Sequence, residues 1–160
     1  MLAAEVMNAP KGRFTIECRD KSGGLKWTEE VDNTVLTAGK TDIVDKYLKG
    51  SSYTAGWFLL LKGSGSIAAG DTLASHAGWS EVTPYAGNRP TVTWGTTSGG
   101  SNTSSGTVVT INATATVAGC GIASVNSGTS GVLYNMSDFA SPRSVADGDT
   151  LTITTTISVS

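Results

Sequence analysis

One segment, residues 71–85 (DTLASHAGWSEVTPY), carries residue types that acid–base and nucleophilic chemistry use. Asp71, Ser75 and His76 lie close together there, and His76 is the single histidine of the chain. A Ser-His-acid triad needs side chains that converge from separate elements, together with an oxyanion hole. Adjacent Ser75 and His76 point in different directions on a strand or a helix, and no Gly-x-Ser-x-Gly elbow is present. We therefore predict no catalytic residues and no enzyme: Asp71 forms a turn or cap, and His76 and Trp79 pack a connection.

Two glycine-containing segments invite comparison with nucleotide-binding motifs. Gly39-Lys40-Thr41 fits the end of a phosphate-binding loop, but Thr34 stands where that motif requires its first glycine. The segment GSGSIAAG, residues 63–70, lacks the spacing of a dinucleotide fingerprint and opens no βαβ unit. The sequence therefore predicts no cofactor.

Acidic and thiol side chains are placed for structure rather than for metal binding. Asp138, Asp147 and Asp149 could contribute to a calcium site, but no EF-hand-like spacing supports one, and turn formation is the preferred interpretation. Cys18 and Cys120 lie far apart in strand-like segments without metal-ligand spacing. We expect both as small core residues, no disulfide between them and no metal site.

The charge content argues against two classes of partner. Charged residues make up 15% of the 160-residue chain, the formal net charge is −2, and nine of the 11 Lys and Arg residues precede Gly63. This balance gives no reason to expect nucleic acid or an anionic membrane as partner. The longest apolar run, residues 57–61, is too short to cross a membrane, and the N-terminus lacks the pattern of a secretion signal. We expect synthesis in the cytoplasm.

The first third of the chain predicts a hairpin and a short helix. Residues 13–20 alternate strictly between apolar and polar side chains, KSGG makes a turn, and residues 25–31 return as the second strand. Residues 40–50 predict a helix with Thr41 as its N-cap and Gly50 as its stop signal. Four of its residues form one apolar stripe: Ile43, Val44, Tyr47 and Leu48.

The remainder predicts a mainly β fold. Residues 56–63 form an apolar run typical of a strand buried on both faces, and further strand-like segments follow at 90–95, 106–117, 119–125, 131–136 and 149–160. Turn signals between these segments favour a β-sandwich of the jelly-roll type. Residues 98–105 (SGGSNTSS) are expected as an exposed loop. Gly-Asp-Thr-Leu occurs at 70–73 and 148–151, which indicates two turns, each before a buried leucine.

These elements predict one domain with a short N-terminal arm. The arm covers residues 1–12, and the single β-rich domain covers 13–160, with the hairpin and helix in 13–50 and the sandwich in 51–160. The tryptophans stand in or beside apolar strand-like segments, so core packing is their expected role: Trp27, Trp57, Trp79 and Trp94.

The last strand has one face of threonine and serine. Thr152, Thr154, Thr156 and Ser158 alternate with the apolar positions of residues 149–160. Such a face is less costly to desolvate than a charged one and suits close packing of many copies. A small β domain can also be rich in threonine because of strand propensity alone.

Three segments resemble a family of small tailed-bacteriophage virion proteins encoded among the head genes: residues 33–65, 68–95 and 144–160. The stretch GDTLASHAGWSEVTPY followed by RP is the most specific part of this resemblance. It implies a capsid decoration (cement) protein, a β-sandwich on the exterior of the virion that binds the major capsid protein. Such a protein would form a homo-dimer or homo-trimer, and residues before Arg13 would order on binding.

Two other functions stay open at this stage. A tail-fibre or tail-associated receptor-binding component would also be β-rich and poor in charge, with Trp79 or Trp94 as exposed residues for glycan stacking. A small hydrolase on a jelly roll would need a convergent acid–base set, which the sequence does not offer.

Overall fold

A computed structural model describes residues 10–52 and 56–159 of the chain. It is 52% strand and 8% helix. The ten strands and the helical segment have these bounds: β1 Lys11–Arg19, β2 Leu25–Val35, α1 Thr37–Ile43 with a following π-helical turn Val44–Leu48, β3 Phe58–Gly65, β4 Trp79–Val82, β5 Thr93–Trp94, β6 Ser101–Ser105, β7 Thr107–Thr110, β8 Ala115–Ala123, β9 Leu133–Val145 and β10 Thr150–Ser158.

All ten strands belong to one antiparallel sheet. Its order is β4-β3-β8-β9-β2-β1-β10-β6-β5, and β7 also pairs with β10. The sheet curls into a half-barrel, so that its two halves face each other across the main core. The mainly β, sandwich-like fold with an N-terminal hairpin and one short helix is therefore confirmed.

Strand alternation determines the inner face of this sheet. Phe14, Ile16 and Cys18 of β1 are fully buried and pack with Leu151 and Ile153 of β10 in the main core. Because strand side chains alternate between faces, the intervening polar residues of both strands lie on the outer side. Cys120 belongs to the same core, and both cysteines are free. Burial raises the pKa of Cys18 to about 11, as expected for a thiol among apolar neighbours.

Strand β3 is buried on both faces, as its apolar run predicts. Leu59 and Leu61 point into the main core, whereas Leu60 belongs to a second cluster on the other side of the sheet. That second cluster includes Leu73 from the connection between β3 and β4, and Trp79, the first residue of β4. The histidine-containing segment therefore covers the outer face of β3, β8 and β9.

The two halves of the sheet meet where β2 lies beside β9, and few backbone hydrogen bonds join them. The ladder comprises only the pairs Thr34–Met136 and Val35–Asn135. Side chains extend it: Ser137 Oγ donates to the Asp32 carbonyl over 2.8 Å. Further along, the Glu29 carboxylate accepts hydrogen bonds from the Ala140 N–H (2.9 Å) and from Arg143 Nη2 (2.5 Å).

The helix begins earlier than the sequence predicts. α1 starts at Thr37, with Leu36 at the N-cap position and no side-chain cap, so the expected Thr41 cap is wrong. The start is determined by the sheet, because the Leu36 N–H donates to the Tyr134 carbonyl as the chain leaves β2. Gly50 follows the helical segment with φ of 74°, which fits its predicted role as a stop signal.

The apolar stripe of the helical segment is only partly used inside the fold. Ile43 packs against the main core, but Val44, Tyr47 and Leu48 are 52%, 85% and 71% exposed. The predicted stripe therefore leaves the core at the π-helical turn, where the Lys49 N–H bonds to the Val44 carbonyl five residues earlier.

Two other boundaries differ from the sequence predictions. Residues 98–105 contain strand β6, so the expected exposed loop is wrong: Ser104 is buried and its Oγ accepts the Thr155 N–H of β10. β1 already begins at Lys11, which pairs with Ser158, so the predicted arm ends two residues earlier than expected. Residues 1–9 of that arm lie outside the described residues.

Gly39 allows α1 to pack directly on β9. A Cβ at this position would lie 2.4 Å from the Tyr134 carbonyl oxygen. Although alanine favours a helix over glycine by roughly 1 kcal/mol, we expect Gly39→Ala to destabilise the fold by about 1–3 kcal/mol through overpacking. Urea unfolding measures this change. Gly70→Ala is the matched control, because a Cβ there meets open space; equal stability of the two variants would contradict the prediction.

Candidate protein interface

The three residues that could take part in acid–base chemistry, Asp71, Ser75 and His76, are not joined to one another by hydrogen bonds. The buried Asp71 carboxylate accepts the Trp79 indole N–H (2.8 Å) and the Ala68 N–H (2.9 Å) through the same oxygen, Oδ2. The His76 ring stacks on Trp79 with centroids 4.1 Å apart, and its Nδ1 lies 2.9 Å from the Thr72 carbonyl oxygen. The turn role of Asp71 and the packing role of His76 and Trp79 are confirmed.

Asp71 and Asp149 occupy two copies of one turn. The sequences SIAAGDTL (66–73) and SVADGDTL (144–151) share a longer pattern than the tetrapeptide noted above. In each copy the aspartate N–H donates to the alanine carbonyl three residues earlier over 3.0 Å, and its carboxylate accepts that alanine's N–H. Leu73 and Leu151 are buried directly afterwards, as predicted. Each aspartate carboxylate also accepts a hydrogen bond from a side chain, and this side chain differs between the two turns. It is the Trp79 indole for Asp71 and the Lys26 ammonium for Asp149.

The other late aspartates have separate surroundings. Asp138 lies 2.8 Å from Nζ of Lys62, a buried lysine that also donates to the Gly63 and Gly65 carbonyls. Asp147 is exposed. Across residues 10–52 and 56–159, no three His, Cys, Asp or Glu side chains come together in a group that could hold a metal ion.

The tryptophans pack as the sequence predicts. Trp27, Trp57 and Trp94 are partly buried against the main core, and Trp79 is only 7% exposed in the second cluster. Trp79 therefore presents no free face for stacking, and its suggested role in binding glycans is wrong. Trp94 keeps part of its surface at a groove described below.

The outer side of β10, β6 and β7 forms a surface without charged side chains. We call it the threonine face; it comprises Thr103, Ser105, Val108, Thr110, Thr150, Thr152, Thr154 and Thr156. Strand pairing places these residues side by side, and the Thr103 and Thr156 hydroxyl oxygens are 2.8 Å apart. Val108 is 60% exposed at its centre, opposite Thr152. The threonine face is thus polar and uncharged, with one exposed apolar side chain.

The adjoining strands β1 and β2 carry the opposite character. On their outer side Arg13 pairs with Glu30 (2.6 Å) and Asp32 (2.9 Å), and Arg19 pairs with Glu17 (2.6 Å). The hydrogen bond that Arg13 donates to the Asp32 carboxylate raises the pKa of Arg13, and the bond that Arg19 donates to Glu17 raises the pKa of Arg19. Because these pairs are exposed, they contribute little to stability and keep the outer side of β1 and β2 well hydrated.

A groove of about 310 Å³ opens between the helical segment and the strands β5, β6, β8, β9 and β10. Its apolar lining consists of Ile43, Trp57, Trp94, Ile122, Tyr134 and Ile157, and Asp42, Thr97, Gly100, Ser101 and Asn102 also line the groove. Trp57 and Tyr134 meet edge to face with centroids 5.1 Å apart. Burial, reinforced by the Asp42 charge, raises the pKa of Tyr134 to about 12, so its hydroxyl stays protonated at neutral pH.

Comparisons with known proteins identify no relative. A scan against family models found no match, and searches of curated proteins and of solved structures found none. Within the described part of the chain, no helix is both long and apolar enough to cross a membrane. The surfaces themselves, the threonine face and the groove, are therefore the basis for a functional proposal.

Proposed function

We propose that the chain is a structural protein of a tailed-bacteriophage virion, a head decoration protein that binds the major capsid protein on the outside of the shell. The observation that carries this proposal is the threonine face, an uncharged strip of three strands beside the strongly ionic outer side of β1 and β2. Such a division suits a protein with one surface against a partner and another in water.

The physical reason is the difference in desolvation between the two surfaces. Burying Lys, Arg or Glu at an interface requires that every charge be paired, whereas hydroxyl groups need only single hydrogen bonds. Many weak contacts suffice on a regular shell, because contacts made by a multivalent particle are effectively intramolecular after the first. The family resemblance described above supports the same assignment.

A charge placed on the threonine face tests this proposal. We expect Val108→Lys to weaken binding to capsid shells about tenfold or more, because an unpaired ammonium would be buried at the contact. The measurement is co-sedimentation of the purified protein with shells that lack it. Thr28→Lys is the matched control, since Thr28 is exposed on β2, whose outer side is ionic. Equal binding of both variants would refute the threonine face as the contact.

The copy number per virion distinguishes the head from the tail. A decoration protein is present in many copies over the shell, and a tail component in few. Quantitative mass spectrometry of purified particles gives this number, and imaging of labelled protein gives its position. Shell-wide labelling supports the proposal, whereas labelling confined to the tail would replace it with the tail-associated receptor-binding role.

A further inference from the structure

The helical segment places an apolar protrusion beside an apolar concavity. Ile43 forms one wall of the groove, and Tyr47 and Leu48 follow it by four and five residues. In a π-helical turn these positions lie about one turn further on the same side of the helix. Val44, Tyr47 and Leu48, which we call the tip, therefore extend the apolar wall of the groove into solvent.

The tip is unusual on this surface. Large apolar side chains that are more than half exposed are otherwise scattered singly in the described residues, as Leu25 and Val108. Isolated exposed apolar residues need no explanation, but an apolar cluster beside an apolar groove marks an interaction surface. Nothing in the described fold covers either the tip or the groove.

Charges of opposite sign accompany the two features. Of the residues that the structure describes, Asp42 is the one charged residue that lines the groove, and Lys46 directly precedes the tip residue Tyr47. Within residues 10–52 and 56–159, neither Asp42 nor Lys46 takes part in an ion pair, whereas eight other pairs are formed. Asp45 and Lys49, the other charged residues of this turn, pair with each other, so the groove keeps a negative charge at Asp42 and the tip a positive charge at Lys46, and each complements the other.

We propose that two copies of the chain form a twofold-symmetric dimer, in which the tip of each copy occupies the groove of the other. In a twofold contact the same patch serves both subunits, and a tip beside its own groove meets this requirement. Docking one tip brings the second tip to the first groove, and Asp42 of each copy faces Lys46 of the other. In this arrangement two copies occupy both tips and both grooves, so the contact does not continue to a third copy.

The dimer does not rest on the decoration function, because no residue of the threonine face lines the groove. It leaves both threonine faces free. If the decoration function also holds, two such faces on one particle would raise the avidity for a shell without any new contact.

Sedimentation of the purified full chain at increasing concentration tests the dimer. We expect the wild type to approach twice the 16.3 kDa mass of one chain. Tyr47→Asp should raise the dimer dissociation constant by about 30-fold or more, since aromatic residues at the centre of an interface dominate its affinity. Leu25→Asp is the matched control, an equally drastic change at an exposed residue in the hairpin, and should leave the dimer intact. A wild type that stays monomeric, or a dimer that tolerates Tyr47→Asp, would overturn the proposal.

Charge reversal tests the pairing across the twofold axis. Asp42→Lys alone and Lys46→Asp alone should each dissociate the dimer, because each homodimer then places like charges opposite one another. An equal mixture of the two variants should recover dimers, since both contacts of the mixed pair join a lysine to an aspartate. Failure of the mixture to associate, while both variants remain folded by circular dichroism, would contradict this arrangement. These outcomes are measured without shells and are therefore independent of Val108→Lys.

Discussion

Asp71→Ala should destabilise the fold by about 2–4 kcal/mol, because it leaves the buried Trp79 indole N–H and the partly buried Ala68 N–H without an acceptor. The Trp79 indole N–H and the Ala68 N–H both bond to the Asp71 carboxylate, and Asp71 itself is 9% exposed. The loss also loosens the connection that holds Leu73 and Trp79 in the second cluster. Urea unfolding followed by tryptophan fluorescence measures the change.

Two companion variants separate the contributions at this turn. In Asp71→Asn the amide oxygen can take the place of Oδ2 and accept from both donors without the charge, so its effect should be smaller than that of alanine. Asp147→Ala is the matched control in the equivalent turn before β10, where Asp147 is exposed. We expect this control to change stability by less than about 0.5 kcal/mol. An Asp71→Ala protein as stable as the control would show that the hydrogen bonds to the Asp71 carboxylate do not contribute to stability.

Regular alternation made the central strands predictable. In β1 and β10 each apolar residue is followed by a polar one, and burial follows that alternation in β1 and in the first part of β10, where Thr155 also takes a buried position. The apolar run in β3 likewise predicted burial on both faces. Such patterns are local, and a strand's faces follow directly from them. The threonine face was predictable in the same way, although only for β10.

Elements determined by distant contacts were not predictable. β6 contains Ser and Thr without apolar alternation, and its partner β10 lies about 50 residues later in the chain. The start of α1 depends on the Tyr134 carbonyl rather than on a local cap. The groove combines residues from α1, β5, β8, β9 and β10, so no segment by itself could reveal it.

One signal for the junction of the two half-sheets was present in the sequence. In β2, Glu29 stands between Trp27 and Val31 at inward-facing positions, opposite Ile16 of β1. A carboxylate within an apolar alternation indicates a buried, paired charge. Its partners, Ala140 and Arg143, are more than 100 residues away, so the sequence could indicate the need for a partner but not its identity.

Replacement of Glu29 tests whether this carboxylate joins the two halves. Glu29 is 8% exposed and bonds to Arg143 and the Ala140 N–H at the point where the β2–β9 ladder has ended. Breaking a buried pair costs about 3–5 kcal/mol, but Arg143 retains 33% exposure and can be hydrated. We therefore expect Glu29→Ala to destabilise the fold by about 2–3 kcal/mol. Glu30→Ala, an exposed neighbour on the same strand, is the matched control.

The pH dependence of stability gives a second measure of the same bridge. Hydrogen bonds from Arg143, and then from the Ala140 N–H, hold the pKa of Glu29 below its reference value of 4.5. Because the folded pKa is lower than the unfolded one, this stabilisation is complete above about pH 4.5 and is lost as the pH falls through the folded pKa. The stability difference between the wild type and Glu29→Gln should therefore be constant near neutral pH and shrink in acid. A difference that stays unchanged in acid would mean that packing, and not the ionised carboxylate, joins the two half-sheets.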